Sequence, residues 1–168
     1  MGMKPIIALV FARILHRGES VAQPKTKRLD WLLLALQASH QGMTPLQLQK
    51  SLFLLSERRR KAVGDKFYHF TAYNYGPFCQ EIYHDANALA AEGFVEIDGS
   101  QGRSLRRYSL TVEGAKLADK VRPKLDPDGV AYLTDVVKWA QTLSFSSLVR
   151  AVYEAYPDMR KNSVFQDQ

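Results

Sequence analysis

Three guanidinium groups within five residues, Arg103, Arg106 and Arg107, are the first feature of this chain that could do chemistry. A guanidinium stays charged and presents planar donors, which suits phosphate oxygens or a DNA minor groove better than covalent catalysis. Residues that could catalyse are sparse. The histidines, His16, His40, His69 and His84, show no zinc-ligand spacing, and no glycine loop of the phosphate-cradling kind is present. Cys79 lies near the start of an expected helix, a place that can lower a thiol pKa, with His84 five residues on. That spacing sets the two about 140° apart on a helix, so Cys79 reads as a small buried thiol. No catalytic residue, metal site or cofactor is expected.

The positions of the charges carry more than their sum. Net charge is +6, but residues 1–28 hold six basic and one acidic side chain and residues 103–124 hold seven and two, while 29–102 and 125–168 are each acidic on balance. A localised basic patch is the footprint of a polyanion binder. The 168 residues, with an ordinary hydrophobic fraction of 46% and charged fraction of 24%, suit one globular domain. A lone cysteine forms no internal disulfide, which fits a reducing, cytoplasmic setting. The apolar run near the start is interrupted by Arg13, has no small-residue cleavage site after it, and falls short of the roughly 18 residues a span requires. It reads as a short amphipathic arm that docks on the body or on a second subunit, and membrane insertion is not expected.

The elements that must position these groups are read from caps and periodicity. Residues 19–28 look like a polar linker, and a helix apolar on nearly every face starts near Asp30. Thr44-Pro45-Leu46-Gln47 carries a capping box, and Leu48, Leu52 and Leu55 continue one stripe, with Glu57 to Lys61 as a polar exit. The aromatic stretch 64–75 predicts a strand. Gly76-Pro77 then stops it and opens a helix with Phe78, Ile82, Ala86 and Leu89 on one face, ended by Gly93. A hairpin around a Gly-rich turn follows over 95–111. Thr111 caps the next helix, and two more begin at Asp126-Pro127 and Ser144.

Helix, helix, strand, helix and two-stranded wing is the order of a winged helix. The stretch Asn87 to Val121, with Arg106, Tyr108, Leu110, Thr111, Glu113 and Gly114, resembles the third helix, wing and following helix of PadR-like and MarR-like regulators. Three other stretches, residues 47–59, 73–95 and 148–165, resemble the Panacea or SocA-like group of small bacterial and phage proteins, which includes antitoxins and proteolytic adaptors; the Tyr-x-Tyr-Gly-Pro step is the strongest cue. Residues 1–28 lie outside that resemblance.

The expected fold is therefore mainly α with a small β-sheet, a winged helix-turn-helix with added C-terminal helices. Residues 1–28 form an arm and linker, 29–122 the winged-helix core, and 123–168 a helical extension packed on the same domain. The leading expectation is a non-enzymatic regulator that binds duplex nucleic acid through Arg103, Arg106 and Arg107 of the wing and Gln80, His84 and Asn87 of the third helix. Against it stand Glu81, Asp85 and Glu92, which make that helix acidic with no compensating cation. The alternative is a protein-binding antitoxin or adaptor that engages a partner such as a toxin through Tyr73, Tyr75, Glu81, Tyr83 and Asp85. Tyr68 joins those tyrosines as an aromatic that is either core or groove. A homodimer held by the apolar arm, residues 5–15, is the remaining expectation.

Overall fold

The computed structural model describes residues 23–99 and 106–166. The apolar arm and the turn of the wing, with Arg103, lie outside the described residues. Helix α1 (Gln23–Ala38) runs through the centre, and Trp31 to Leu36 are buried without a break, as a helix apolar on every face demands. It begins seven residues before Asp30, so part of the stretch read as a linker is helical. Pro24 is tolerated in a first turn and Lys25, Lys27 and Arg28 are good helix formers, so a polar composition there does not break the helix.

Helix α2 (Pro45–Arg58) starts as its residues predict. The Thr44 hydroxyl accepts from the Gln47 N–H, and the Gln47 side chain accepts from the Thr44 N–H. The burial is wider than one stripe. All residues from Leu48 to Leu55 are buried, including Gln49, Lys50 and Ser51, because α1, α6 (Pro127–Gln141), α7 (Phe145–Ala155) and a hairpin surround the helix. A four-residue helix, α3 (Arg60–Val63), follows.

The aromatic stretch departs from the expected single strand. Phe67 and Tyr68 are buried in irregular chain, and β1 (Thr71–Tyr73) pairs antiparallel with β2 (Gly76–Phe78) in register Thr71 to Phe78. Gly76-Pro77 therefore forms the return limb of a tight hairpin, and the helix begins three residues later, as α4 (Gln80–Ala91). The reversal at Asn74-Tyr75 needs φ +95° at Gly76, which glycine adopts without strain. Ile82, Ala86 and Leu89 face the core as expected, with Phe78 left half-buried outside the helix.

The basic stretch does fold back as a hairpin. Strands β3 (Val95–Asp98) and β4 (Arg107–Leu110) pair antiparallel, in a sheet separate from β1–β2. A third segment joins β4 from elsewhere in the chain: Met43, between α1 and α2, exchanges both backbone hydrogen bonds with Tyr108, at 2.8 and 2.9 Å. The segment beside this hairpin is thus Met43 and not the aromatic stretch 64–75.

Helix α5 (Val112–Val121) and helices α6 and α7 begin at the three expected caps, where Thr111, Asp126 and Ser144 accept from the N–H groups of Gly114, Gly129 and Ser147. Val130, Leu133 and Val137 of α6 share one core with Trp31, Leu52 and Val95, while Leu148 and Val152 of α7 join a second cluster with Phe53, Val136 and Ala140. The start of α5 rests directly on the backbone of Gly93-Phe94. A Cβ on Gly114 would lie 1.9 Å from the Phe94 carbonyl oxygen, which itself accepts from the Thr111 N–H. Gly114→Ala is expected to destabilise the fold by about 3 kcal/mol, since backbone rather than a side chain would have to move. Urea denaturation of the variant against wild type measures this, and a loss under 1 kcal/mol would show that α5 can slide away from Phe94.

Candidate functional site

Side chains in the middle of α2 build the first candidate surface from below. Gln49 closes two hydrogen bonds on one residue, accepting from the Cys79 N–H at 2.9 Å and donating to the Cys79 carbonyl at 2.9 Å. The Lys50 amine, 3% exposed, donates to the Pro77 carbonyl at 2.9 Å. These bonds fasten the β1–β2 hairpin and the entry to α4 onto a buried helix. Burial pushes the Lys50 amine down to about 7. From the other side, the Asn162 side chain donates to the Ala72 carbonyl, and the Val164 N–H donates to the Asn74 carbonyl at 2.9 Å. Ser163 links this tail to Tyr153 of α7 through a 2.7 Å bond.

The anchored hairpin carries aromatic rings outward. Tyr73, Tyr75 and Phe145, the first residue of α7, are 42–50% exposed, and Tyr75 meets Phe145 edge-on with ring centroids 5.1 Å apart. Val164, bonded at the hairpin turn, is exposed beside them. Inward from Tyr73 the rings continue in a row: Phe78 at 5.0 Å, Tyr83 at 5.8 Å from Phe78, and Tyr108 of the second hairpin stacked on Tyr83 at 6.1 Å. Tyr83 is half-buried and Tyr108 fully so. Residues from three stretches distant in sequence thus meet at this hairpin: Gln49 and Lys50, the hairpin itself, and Asn162 to Val164.

The second candidate surface comprises α4 and the β3–β4 hairpin. Gln80, His84 and Asn87 are exposed along α4 as expected. Its acidic residues are not unpaired, because Arg28 of α1 reaches across. Arg28 Nε and Nη2 donate to the two Asp85 oxygens at 2.7 and 3.0 Å, and Nη1 donates to Glu81 at 3.1 Å. Tyr68 adds a fourth bond, its hydroxyl donating to Asp85 at 2.9 Å. Burial, and then the Asp85 carboxylate, push the Tyr68 phenol upward, while the bond to Asp85 raises Arg28. Asp85 is therefore spent inside the fold, whereas Glu81 stays half in solvent.

On the wing, alternation places Arg107 in solvent opposite buried Tyr108. Its Nη1 lies 3.4 and 3.3 Å from the carbonyls of Gln41 and Gly42, at the base of the hairpin. Arg106 is half-buried just before β4. Exposed Glu92, Glu96 and Asp98 flank the same hairpin. Of the other sequence candidates, Cys79 is buried and its thiol is pushed up by that burial, which opposes the reactive thiolate a helix start could favour. In the polar exit, Arg59 lies over the Tyr132 ring at 4.9 Å and Arg58, Arg60 and Lys61 are exposed. Among the described residues no three His, Cys, Asp or Glu side chains cluster as metal ligands, and no helix is long and apolar enough to cross a membrane.

Sequence reasoning did not single out Arg28, Gln49, Lys50, Phe145 or Val164. A signal existed for two of them: Gln49 and Lys50 interrupt an otherwise apolar helix, and polar groups at core positions need partners. Asp85→Asn is expected to cost about 2–3 kcal/mol, because it removes the doubly bonded one of two carboxylates that pair a guanidinium only 17% exposed. Glu81→Gln, at a carboxylate 53% exposed, should cost no more than about 0.5 kcal/mol. Thermal or chemical denaturation of both variants separates the roles, and equal losses would contradict them.

No family model matches the chain, and no curated protein matches it in sequence.

Proposed function

We propose that this chain is a non-enzymatic binding module that recognises a protein partner through the aromatic apex formed by Tyr73, Tyr75 and Phe145. The observation that carries this reading is that three large rings stand 42–50% in solvent, Tyr73 and Tyr75 on a hairpin held from beneath by Gln49 and Lys50 and Phe145 packed against Tyr75 from α7. Aromatic side chains are enriched at the centres of protein interfaces, where they bury much area for few rotatable bonds. A hairpin that is already fastened loses little entropy when a partner closes on it. The convergence of the Panacea-like stretches on the same apex supports an antitoxin or adaptor that engages a partner such as a toxin. Within that surface Tyr73 and Tyr75 make contact and Tyr83 supports them from behind. Glu81, paired with Arg28 but 53% exposed, stands at the edge.

A second reading has a specific observation in its favour. The order α1, the Met43 segment, α2, α4 and the β3–β4 hairpin supports a winged helix with the aromatic hairpin inserted between its second and third helices. Arg28 offsets the charge of Glu81 and Asp85, which lowers the cost of bringing Gln80, His84 and Asn87 towards a duplex. It ranks second because Arg107 is engaged at the hairpin base and Glu92, Glu96 and Asp98 surround the wing.

One pair of variants separates the readings. Tyr73→Ser with Tyr75→Ser and Phe145→Ser should abolish stoichiometric co-purification of a protein partner from the native host while leaving the melting temperature within a few degrees. Arg106→Ala with Arg107→Ala should leave that complex intact. Salt-dependent shift of a generic duplex, abolished by the arginine pair and untouched by the aromatic triple, would overturn the first reading and favour the second.

A further inference from the structure

The least expected group beneath the apex is the Lys50 amine. It is 3% exposed, and no carboxylate among the described residues lies within 4.0 Å of it. Gly76 sits on top of it: a Cβ there would lie 3.7 Å from Lys50 Nζ and 3.1 Å from Tyr153 Cε1, so the return limb of the hairpin closes directly over the amine. Titratable side chains on the neighbouring elements are Tyr153 of α7, whose ring borders Gly76 and whose phenol is bonded to Ser163, and the buried Cys79 just after β2. The Arg160 guanidinium lies 5.7 Å from the Tyr153 ring centroid.

We propose that Lys50 is a proton-operated latch on the β1–β2 hairpin: neutral, it seats against the Pro77 carbonyl and holds the hairpin closed; protonated, it favours states in which the hairpin lifts and water reaches the amine. The geometry offers a neutral amine what it needs, one acceptor and an apolar surround. An ammonium has three N–H groups and a full charge to satisfy in the same space.

The direction follows from linkage. Burial lowers the amine from 10.5 to about 7 in the closed state, whereas an open hairpin returns it towards 10.5. The open state therefore binds more protons between those values, so closure strengthens as pH rises through that window, weakens no further below it and gains nothing further above it. For these two values the opening constant should rise about ten-fold from pH 8 to pH 6. That the latch regulates partner binding rests on the reading above; the latch itself does not.

Native-state hydrogen exchange on the unliganded chain tests it. The Cys79 and Val164 amides, bonded to Gln49 and Asn74, report on the two ends of the hairpin, and the Tyr108 amide, bonded to Met43, is an internal reference. After correction for intrinsic rates, the first two should open about ten-fold more at pH 6 than at pH 8, with Tyr108 unchanged. In Lys50→Met the difference should vanish, and in His69→Gln, which removes the imidazole preceding β1, it should remain. Equal opening at both pH values in wild type, or a ten-fold change that survives Lys50→Met, overturns the latch. Should Lys50→Met not fold, an NMR titration of lysine Cε resonances in wild type decides: one midpoint near 7 supports the latch, and every lysine titrating near 10.5 overturns it. Because no partner is present, failure here leaves the binding reading standing, and loss of the binding reading leaves the latch standing.

Discussion

Everything about the aromatic hairpin depends on one constraint: α2 is buried all round from Leu48 to Leu55, and two of those residues, Gln49 and Lys50, cannot be left without hydrogen-bond partners. An unsatisfied buried amide or amine costs more than a hydrogen bond returns, so the chain must bring acceptors to the helix. The acceptors are the backbone carbonyls of Pro77 and Cys79. Helix and hairpin are thus mutually conditional. The hairpin is too short to be stable alone, and the helix core is too polar to be buried without it.

The same logic explains the other long-range contact of α4. Asp85 is largely buried, where a carboxylate left without partners is costly, and Arg28 and Tyr68 supply those partners. That cluster ties the first turns of α4 to α1 while the hairpin ties its entry to α2. Both interactions position the exposed edge of α4, and neither is local in sequence.

Locality separates what was legible in the sequence from what was not. Thr44, Thr111, Asp126 and Ser144 each bond an N–H three residues on, so the residues themselves carry the information and the four helix starts could be read directly. The second hairpin was equally legible, since alternation in Arg107 to Leu110 and a Gly-rich turn specify it. The aromatic hairpin was not. Phe67 to Tyr75 has the composition of one strand, and only the φ +95° at Gly76, together with Pro77 lying over Lys50, turns it into two short limbs. Met43 gave no signal, because a single bridged residue has no periodicity. Arg28 fell within a stretch read as a polar linker, and its partners are 53 and 57 residues away.

The charge distribution decides which surface is better suited to a macromolecular partner. Binding to a polyanion draws its strength from phosphates neutralised, so it needs an excess of cations that are free to approach. Around the wing, the described residues supply Arg106, half-buried, and Arg107, engaged with Gln41 and Gly42, against exposed Glu92, Glu96 and Asp98. The apex of the other hairpin draws on apolar area instead, and that term is indifferent to these charges. Its rings are also held by packing on one another, Tyr75 on Phe145 and Tyr73 on Phe78, so the surface is ordered before anything binds. A pre-ordered apolar apex favours a protein partner for a physical reason independent of any resemblance: the ordering cost is borne by the interior of α2, where Gln49 and Lys50 required a hairpin in any case.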